Sequence, residues 1–133
     1  MAELAFMLDT DTVSYALRGV GSVGERLRAR RPSEICISAL TVAELRYGVE
    51  RRRSRKLRAL VEAFAGAMLV APFDIAAAAA FGSIAASLSK HGTPIGTMDT
   101  LIAAHAVALG LTLVTNNAKH FARVSGLATT SWI

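Results

Sequence analysis

Three carboxylates in this 133-residue chain, Asp9, Glu44 and Asp99, are placed where metal and phosphate chemistry is open to them. Asp9 ends the apolar run LAFML and precedes TDTV, so it also suits a helix N-cap, with Asp11 an equal candidate. Glu44 lies in Thr41-Val-Ala-Glu44, the spacing of a capping box, yet it shares a helix face with Leu40 and Tyr47, which turns part of it inward. Asp99 opens the segment DTLIAAHAVAL, again a capping position. Taken singly, each acid has an ordinary structural use. Brought to one edge of a sheet, the three repel one another and resist ionisation unless a cation joins them. Hard cations such as Mg²⁺ and Mn²⁺ prefer oxygen ligands, and Mg²⁺ keeps waters that can attack a phosphate.

Other chemistry-bearing patterns are weaker. Gly19-Val-Gly21-Ser-Val-Gly24 fits GxGxxG, but that motif holds a pyrophosphate only where a strand turns directly into a helix. Here a helix separates it from the strand ending at Leu8, so a helix–helix connection is expected. LAFMLDTDTV resembles the first motif of haloacid-dehalogenase phosphatases, in which Asp9 would be the nucleophile and Asp11 the general acid. That family also needs a later lysine and a second acidic motif, and the second half offers only Lys90, Lys119, Asp74 and Asp99. His105 falls on the apolar face of a helix and reads as a satisfied core residue. His91 and His120 have no partner visible in sequence. Cys36, in ICIS, reads as a buried strand residue, and one cysteine excludes a thiolate zinc site.

Charge is unevenly distributed. Of fifteen basic residues, eleven lie between Arg26 and Arg58, mostly in the runs RLRARR and RRRSRKLR, and the pI is near 10.1. Such a patch suits an anionic partner, nucleic acid first, with Arg52, Arg53 and Arg55 as candidate phosphate contacts; the plainer reading is a solvated helix face. Beyond Glu62 only Asp74 and Asp99 carry negative charge. An acidic metal pocket beside a basic surface suits hydrolysis of a nucleic-acid backbone.

The elements that must position these residues alternate. LAFML, EICIS, MLVAPF and LTLVT read as strands, with TTSW a possible short edge strand. Helices are expected over TDTVSYALR up to Gly19, Val23 to Arg31, ALTVAELRYGVERR with apolar positions Leu40, Ala43 and Tyr47 and continuing as helix through Ser54 to Ala67, then Ile75 to His91 and Met98 to Leu109, with GTPIG a loop. Strand–helix alternation predicts a parallel sheet covered on both faces, with ligands beyond the carboxyl ends of its strands. A 53% hydrophobic content excludes disorder. The longest uncharged stretch, Thr100 to Ala118, contains His105, Gly110 and two asparagines, so its apolar part falls short of the roughly 20 residues of a spanning helix. The start MAELAFMLD lacks the basic region of a secretory signal. A cytoplasmic protein with no membrane association is expected.

With those residues placed, the chain resembles the VapC toxins of bacterial toxin–antitoxin pairs over nearly its full length. The matching blocks are MLDTDTVSY, SALTVAELRYG, GTPIGTMDTLIAAHA and LVTNNAKHFARVSGL, in family order and spacing. The resemblance implies a single PIN domain over residues 1–133, a three-layer α/β/α sandwich with a central, mainly parallel sheet. It implies Mg²⁺- or Mn²⁺-dependent cleavage of RNA, with Asp9, Glu44 and Asp99 as ligands. Many PIN nucleases carry a fourth acid in the block represented here by TNN; Asn117 stands there, able to offer an amide oxygen or hold a metal-bound water but no charge. A homodimer is implied too, with a small VapB-type antitoxin that blocks the site and contact with operator DNA only through that antitoxin. A PIN-like module that binds RNA or protein without cutting is the alternative of a different class.

Overall fold

The computed structural model describes residues 3–133. The first two residues of the MAELAFMLD start therefore lie outside the described part. Five strands are seen among the described residues: β1 (Phe6–Leu8), β2 (Ile35–Ser38), β3 (Leu69–Ala71), β4 (Thr112–Val114) and β5 (Thr129–Thr130). They form one sheet in the order β3-β2-β1-β4-β5, and every pairing is parallel. The helices are α1 (Thr10–Arg18), α2 (Val23–Arg28), α3 (Ala39–Arg52), α4 (Arg55–Ala67), α5 (Ile75–Lys90), α6 (Thr97–Leu109) and α7 (Ala118–Phe121).

Strand side chains alternate between two cores, as a sheet buried on both faces requires. Met7, Cys36 and Leu113 join Leu88, Ile102, Ala103, Ala106 and Phe121 on one face. Leu8, Ile35, Ile37 and Val114 join Val13, Val23, Leu45, Val49, Val61 and Trp132 on the other. Each larger apolar side chain removed from water contributes about 1.5–3 kcal/mol, so two full layers hold the sheet. Burial pushes the Cys36 thiol up to about 11, as expected for an inert core residue.

Helix starts follow from caps. Asp9, Ser38, Ser54 and Asp74 each accept a backbone N–H in the first turn of α1, α3, α4 and α5 respectively. Gly19 and Gly110, both in the left-handed region, end α1 and α6. Three sequence readings change. The basic helix after Gly21 ends at Arg28 rather than Arg31, and a 3-10 turn over Pro32–Glu34 leads into β2. α3 and α4 are separate helices, because Arg53 sits at φ 52° and turns the chain between them. The buried stripe of α3 is Thr41, Leu45 and Val49, whereas Ala43 is exposed and Tyr47 is 66% exposed. A helix spaced for 40, 43 and 47 is equally spaced for 41, 45 and 49, and packing chose the latter. The turn of α7 has too few residues for a periodic signal.

GxGxxG runs from the C-cap of α1 through the link into the first turn of α2. A Cβ on Gly21, at φ 66°, would come within 2.7 Å of Ile133 Cγ1, so this glycine makes room for the chain's last described residue rather than for a pyrophosphate.

Candidate functional site

The strand order places the topological switch between β1 and β4, the two neighbours reached by opposite crossovers. Phe6–Leu8 runs in register with Ile35–Ile37 and Thr112–Val114. One residue further on, Asp9, Ser38 and Thr115 stand at the carboxyl ends of the three central strands, all buried. The site grows from this row.

Asp9 is 4% exposed. Its Oδ1 accepts the Thr12 N–H at 2.8 Å, so the capping reading is correct for this residue. Burial raises its pKa, the Thr115 and Thr12 hydrogen bonds oppose the rise, and the charge of Asp11 adds to it. Capping leaves an ionisable, desolvated carboxylate at the switch point.

Glu44 is not in a capping box. α3 begins at its Ser38 cap, and Thr41 lies inside the helix with no exposure. Half-buried Glu44 instead accepts the Thr10 hydroxyl proton at Oε1, with Thr10 Oγ1 3.2 Å from Thr41 Oγ1. Its pKa is raised first by burial and then by the charges of Asp99, Asp11 and Asp9, while the Thr10 bond opposes them. Three aspartates from the starts of α1 and α6 thus act electrostatically on Glu44 in the second turn of α3.

Asp99 does not cap α6. Gly96, at φ 93°, is the N-cap and offers no side chain, while Asp99 sits in the first turn with its side chain 42% exposed. Its Oδ2 meets His120 Nε2 at 3.0 Å. His120 is the polar neighbour that sequence reading missed: the four-residue helix carrying it leaves no periodic trace.

Asn117 caps α7 only through its backbone. Its N–H goes to Thr115 Oγ1 at 3.0 Å, its side chain is exposed, and no side-chain hydrogen bond among the described residues links it to the acids. Among the described residues, no three acid, histidine or cysteine side chains converge closely enough to chelate an ion in their present rotamers. Thr10 and His120 hold two of the acids. By donor chemistry the group still suits a hard divalent cation: every ligand atom is oxygen, and a cation would offset both the burial that chiefly raises Glu44 and the neighbouring negative charges that add to it.

A groove of about 350 Å³ opens beside Glu44. Thr10, Asp11, Ser14, Arg18, Glu44 and Arg52 supply its polar lining, and Leu17, Leu45, Leu57 and Val61 its apolar lining; Asp9 and Asp99 lie outside it. Arg52 therefore faces the site, while Arg53 and Arg55 are exposed at the α3–α4 corner and contribute nothing to the groove. Neighbouring cations are partly committed: Arg58 pairs with Glu50 at 2.7 Å, and Arg30 stacks over Phe6 and Trp132. His105 is buried, but only Nδ1 is satisfied, by Ser38 Oγ at 2.8 Å. Its Nε2 lacks a hydrogen-bond partner among the described residues, although the Pro72 carbonyl acts on the ring; burial lowers its pKa, so it is a neutral core residue satisfied at one nitrogen rather than two.

Comparison with known proteins bears on this geometry. The family model of the PIN domain matches residues 6–127. The tRNA(fMet)-specific endonuclease VapC of Shigella flexneri is 41% identical over 132 residues, covering 97% of this chain and 98% of that protein. Ribonuclease VapC2 of Haemophilus influenzae is 39% identical over 142 residues, with 98% and 99% covered. Among solved structures, VapBC from Salmonella typhimurium bound to DNA superposes with a TM-score of 0.90 at 38% identity, covering 98% of this chain and 99% of that one. VapBC2 from Rickettsia felis, bound to a DNA fragment from its promoter, gives a TM-score of 0.90 at 30% identity, covering 98% and 100%.

Proposed function

We propose, from the premise that this chain belongs to the PIN-domain family and to its VapC group, that it is the toxin of a toxin–antitoxin pair and a ribonuclease dependent on Mg²⁺ or Mn²⁺. The observation that carries this reading is the buried Asp9 at the switch point and the half-buried Glu44, which feels the charges of Asp99, Asp11 and Asp9, beside a groove edged by Arg18 and Arg52. A fold of this family gives the Asp9–Asp11 pair no support as a phosphatase motif, and Asp11 is an exposed first-turn residue of α1.

Asp9, Glu44 and Asp99 are the residues that would hold the cation, and Asn117 could add an amide oxygen or a water. Such an ion, when bound, would supply positive charge beside the scissile phosphate and lower the pKa of a water available for attack. The rest is work for the chain. The Thr12 amide fixes Asp9 at the switch point, so its carboxylate is delivered without reorganisation. Thr10 orients Glu44. Arg52 and Arg18 bind backbone phosphates along the groove, with Arg53 and Arg55 extending the positive surface outward. RNA is the substrate class, and the name of the Shigella relative makes initiator tRNA the first substrate to offer.

The relatives crystallised as VapBC on DNA support a VapB-type antitoxin as the partner of this chain, with operator DNA reached through it. A homodimer in solution completes the proposed assembly. No helix among the described residues is long and apolar enough to cross a membrane.

The test is incubation of the purified chain with initiator tRNA and with total RNA, in Mn²⁺ or Mg²⁺ and in EDTA. Cleavage in metal that stops in EDTA is expected. Cleavage undiminished in EDTA overturns the metal dependence, and metal-independent binding without cleavage establishes a binding module instead.

A further inference from the structure

We propose that His120 is the positioning residue of Asp99: its Nε2–H, anchored on the Ile95 carbonyl, holds the Asp99 carboxylate at the edge of the acidic site. The inference rests on the reading of Asp99 as a metal ligand given above.

His120 Nε2 lies 2.8 Å from Ile95 O and 3.0 Å from Asp99 Oδ2. A carbonyl oxygen can only accept, and so can an ionised carboxylate, so one Nε2–H is shared between two acceptors. This chemistry assigns the tautomer: the proton is on Nε2 whether or not the ring is charged. The ring is anchored from behind by its edge contact with Phe121, at 5.4 Å between centroids, and Phe121 is buried in the core. A second strap joins the same two segments, because Arg123 Nη1 donates to Pro94 O at 3.2 Å. The segment after β4 therefore clamps the loop leading into α6 at Pro94 and Ile95, and the first turn of α6 at Asp99.

Asp99 needs such a partner. It is part-exposed, the cap of its helix is a glycine, and the His120 bond is the hydrogen bond its carboxylate makes among the described residues. Asp9 and Glu44 are oriented by Thr12 and Thr10. His120 does for Asp99 what those groups do for the other two acids. A ligand oriented by an outer partner binds its ion more tightly, and losing such a partner costs roughly 10- to 100-fold in metal affinity or activity.

The test compares the parent with His120→Ala and His120→Gln, whose amide N–H can reach the same two acceptors. Mn²⁺ affinity is measured by calorimetry without RNA. His120→Ala is expected to weaken it roughly 10- to 100-fold and to lower kcat similarly, with KM for RNA unchanged, and His120→Gln to recover most of both. Unchanged Mn²⁺ affinity in His120→Ala, or a Gln variant no better than Ala, overturns the proposal. If His120→Ala does not fold, His120→Leu, which fills the space against Phe121 without a donor, takes its place against His120→Gln. Nitrogen NMR of the metal-free parent gives a readout independent of activity. The Nε2–H tautomer is expected, and an Nδ1–H tautomer overturns the shared bond. A parent that binds no Mn²⁺ and cuts no RNA, yet shows the Nε2–H tautomer, defeats the metal reading of Asp99 and leaves the His120 contact standing.

Discussion

α5 and α6 pack side by side, and each carries an acid at its start, yet the two acids are used in opposite ways. Asp74 is the N-cap of α5: its Oδ1 accepts the Ala77 N–H at 3.0 Å, and capping accounts for its presence. Asp99 lies three residues beyond the cap of α6, a position taken by Gly96, and its carboxylate turns to His120 and the neighbouring acids. Both sit where a helix dipole favours negative charge. Only the one released from capping is free to serve a ligand. An acid in the first turn is therefore informative when another residue does the capping. Asp9 combines both situations, capping α1 with one oxygen while buried at the end of β1.

The largest effect separates the site acids from the others. Asp99→Asn and Asp9→Asn should each lower RNA cleavage by more than the roughly 100-fold upper range for an outer-shell partner, because each removes a charged ligand itself. Both should fold, since asparagine caps as well as aspartate at position 9 and Asp99, part-exposed, caps no helix. Asp11→Asn, altering an exposed first-turn residue, should cost less than about tenfold, at most about half the transition-state stabilisation lost with Asp9. Steady-state cleavage by the three variants decides it. Comparable losses at Asp9 and Asp11, accompanied by hydrolysis of small phosphate esters, would restore the phosphatase reading.

A smaller effect tests the Asp74 side. Asp74→Ala should cost about 1 kcal/mol of stability, the usual worth of an N-cap, and leave cleavage intact. Asp99→Ala should do the reverse, with its folding midpoint near that of the parent. Denaturant melts paired with activity assays read both numbers. Loss of stability in Asp99→Ala as large as in Asp74→Ala would erase the distinction between the two helix starts.

The smallest effect is a drift with pH. Asp9 and Glu44 have folded-state pKa values raised from ordinary values of 3.8 and 4.5. Across the window above those values the native state keeps protons that the unfolded chain has released. The contribution of these two acids is therefore most favourable below 3.8 and is lost as pH rises through the folded-state values. Metal-free Asp9→Asn should gain on the parent in thermal stability as pH rises from about 4 to about 7. Mn²⁺ should reverse the gain by binding the parent more tightly. A parent that gains on the variant with rising pH would show that hydrogen bonds to Asp9 outweigh its burial.

Much of this was legible in the sequence, because it is local. The strand–helix alternation follows from apolar runs of strand length and helical spacing, and the ends of α1 and α6 from Gly19 and Gly110. Asp9 at the end of a buried strand is also a local fact. The parallel pairing follows from the helices that intervene. What the sequence left open depended on which surfaces meet. Two stripes of α3 fit the helical period equally well, and only packing against α4, β2 and α1 decided that Thr41, Leu45 and Val49 go inward. The Thr41–Glu44 spacing is a capping box only at a helix start, and Ser38 began the helix one turn earlier. His120 lies 21 residues from Asp99 along the chain, so no periodicity could pair them; the crossover to β4 did. Side-chain type and local spacing determined which residues had the chemistry. Tertiary structure decided which of them were left unspent by capping and brought together, because that depends on distances between segments, which a linear pattern does not encode.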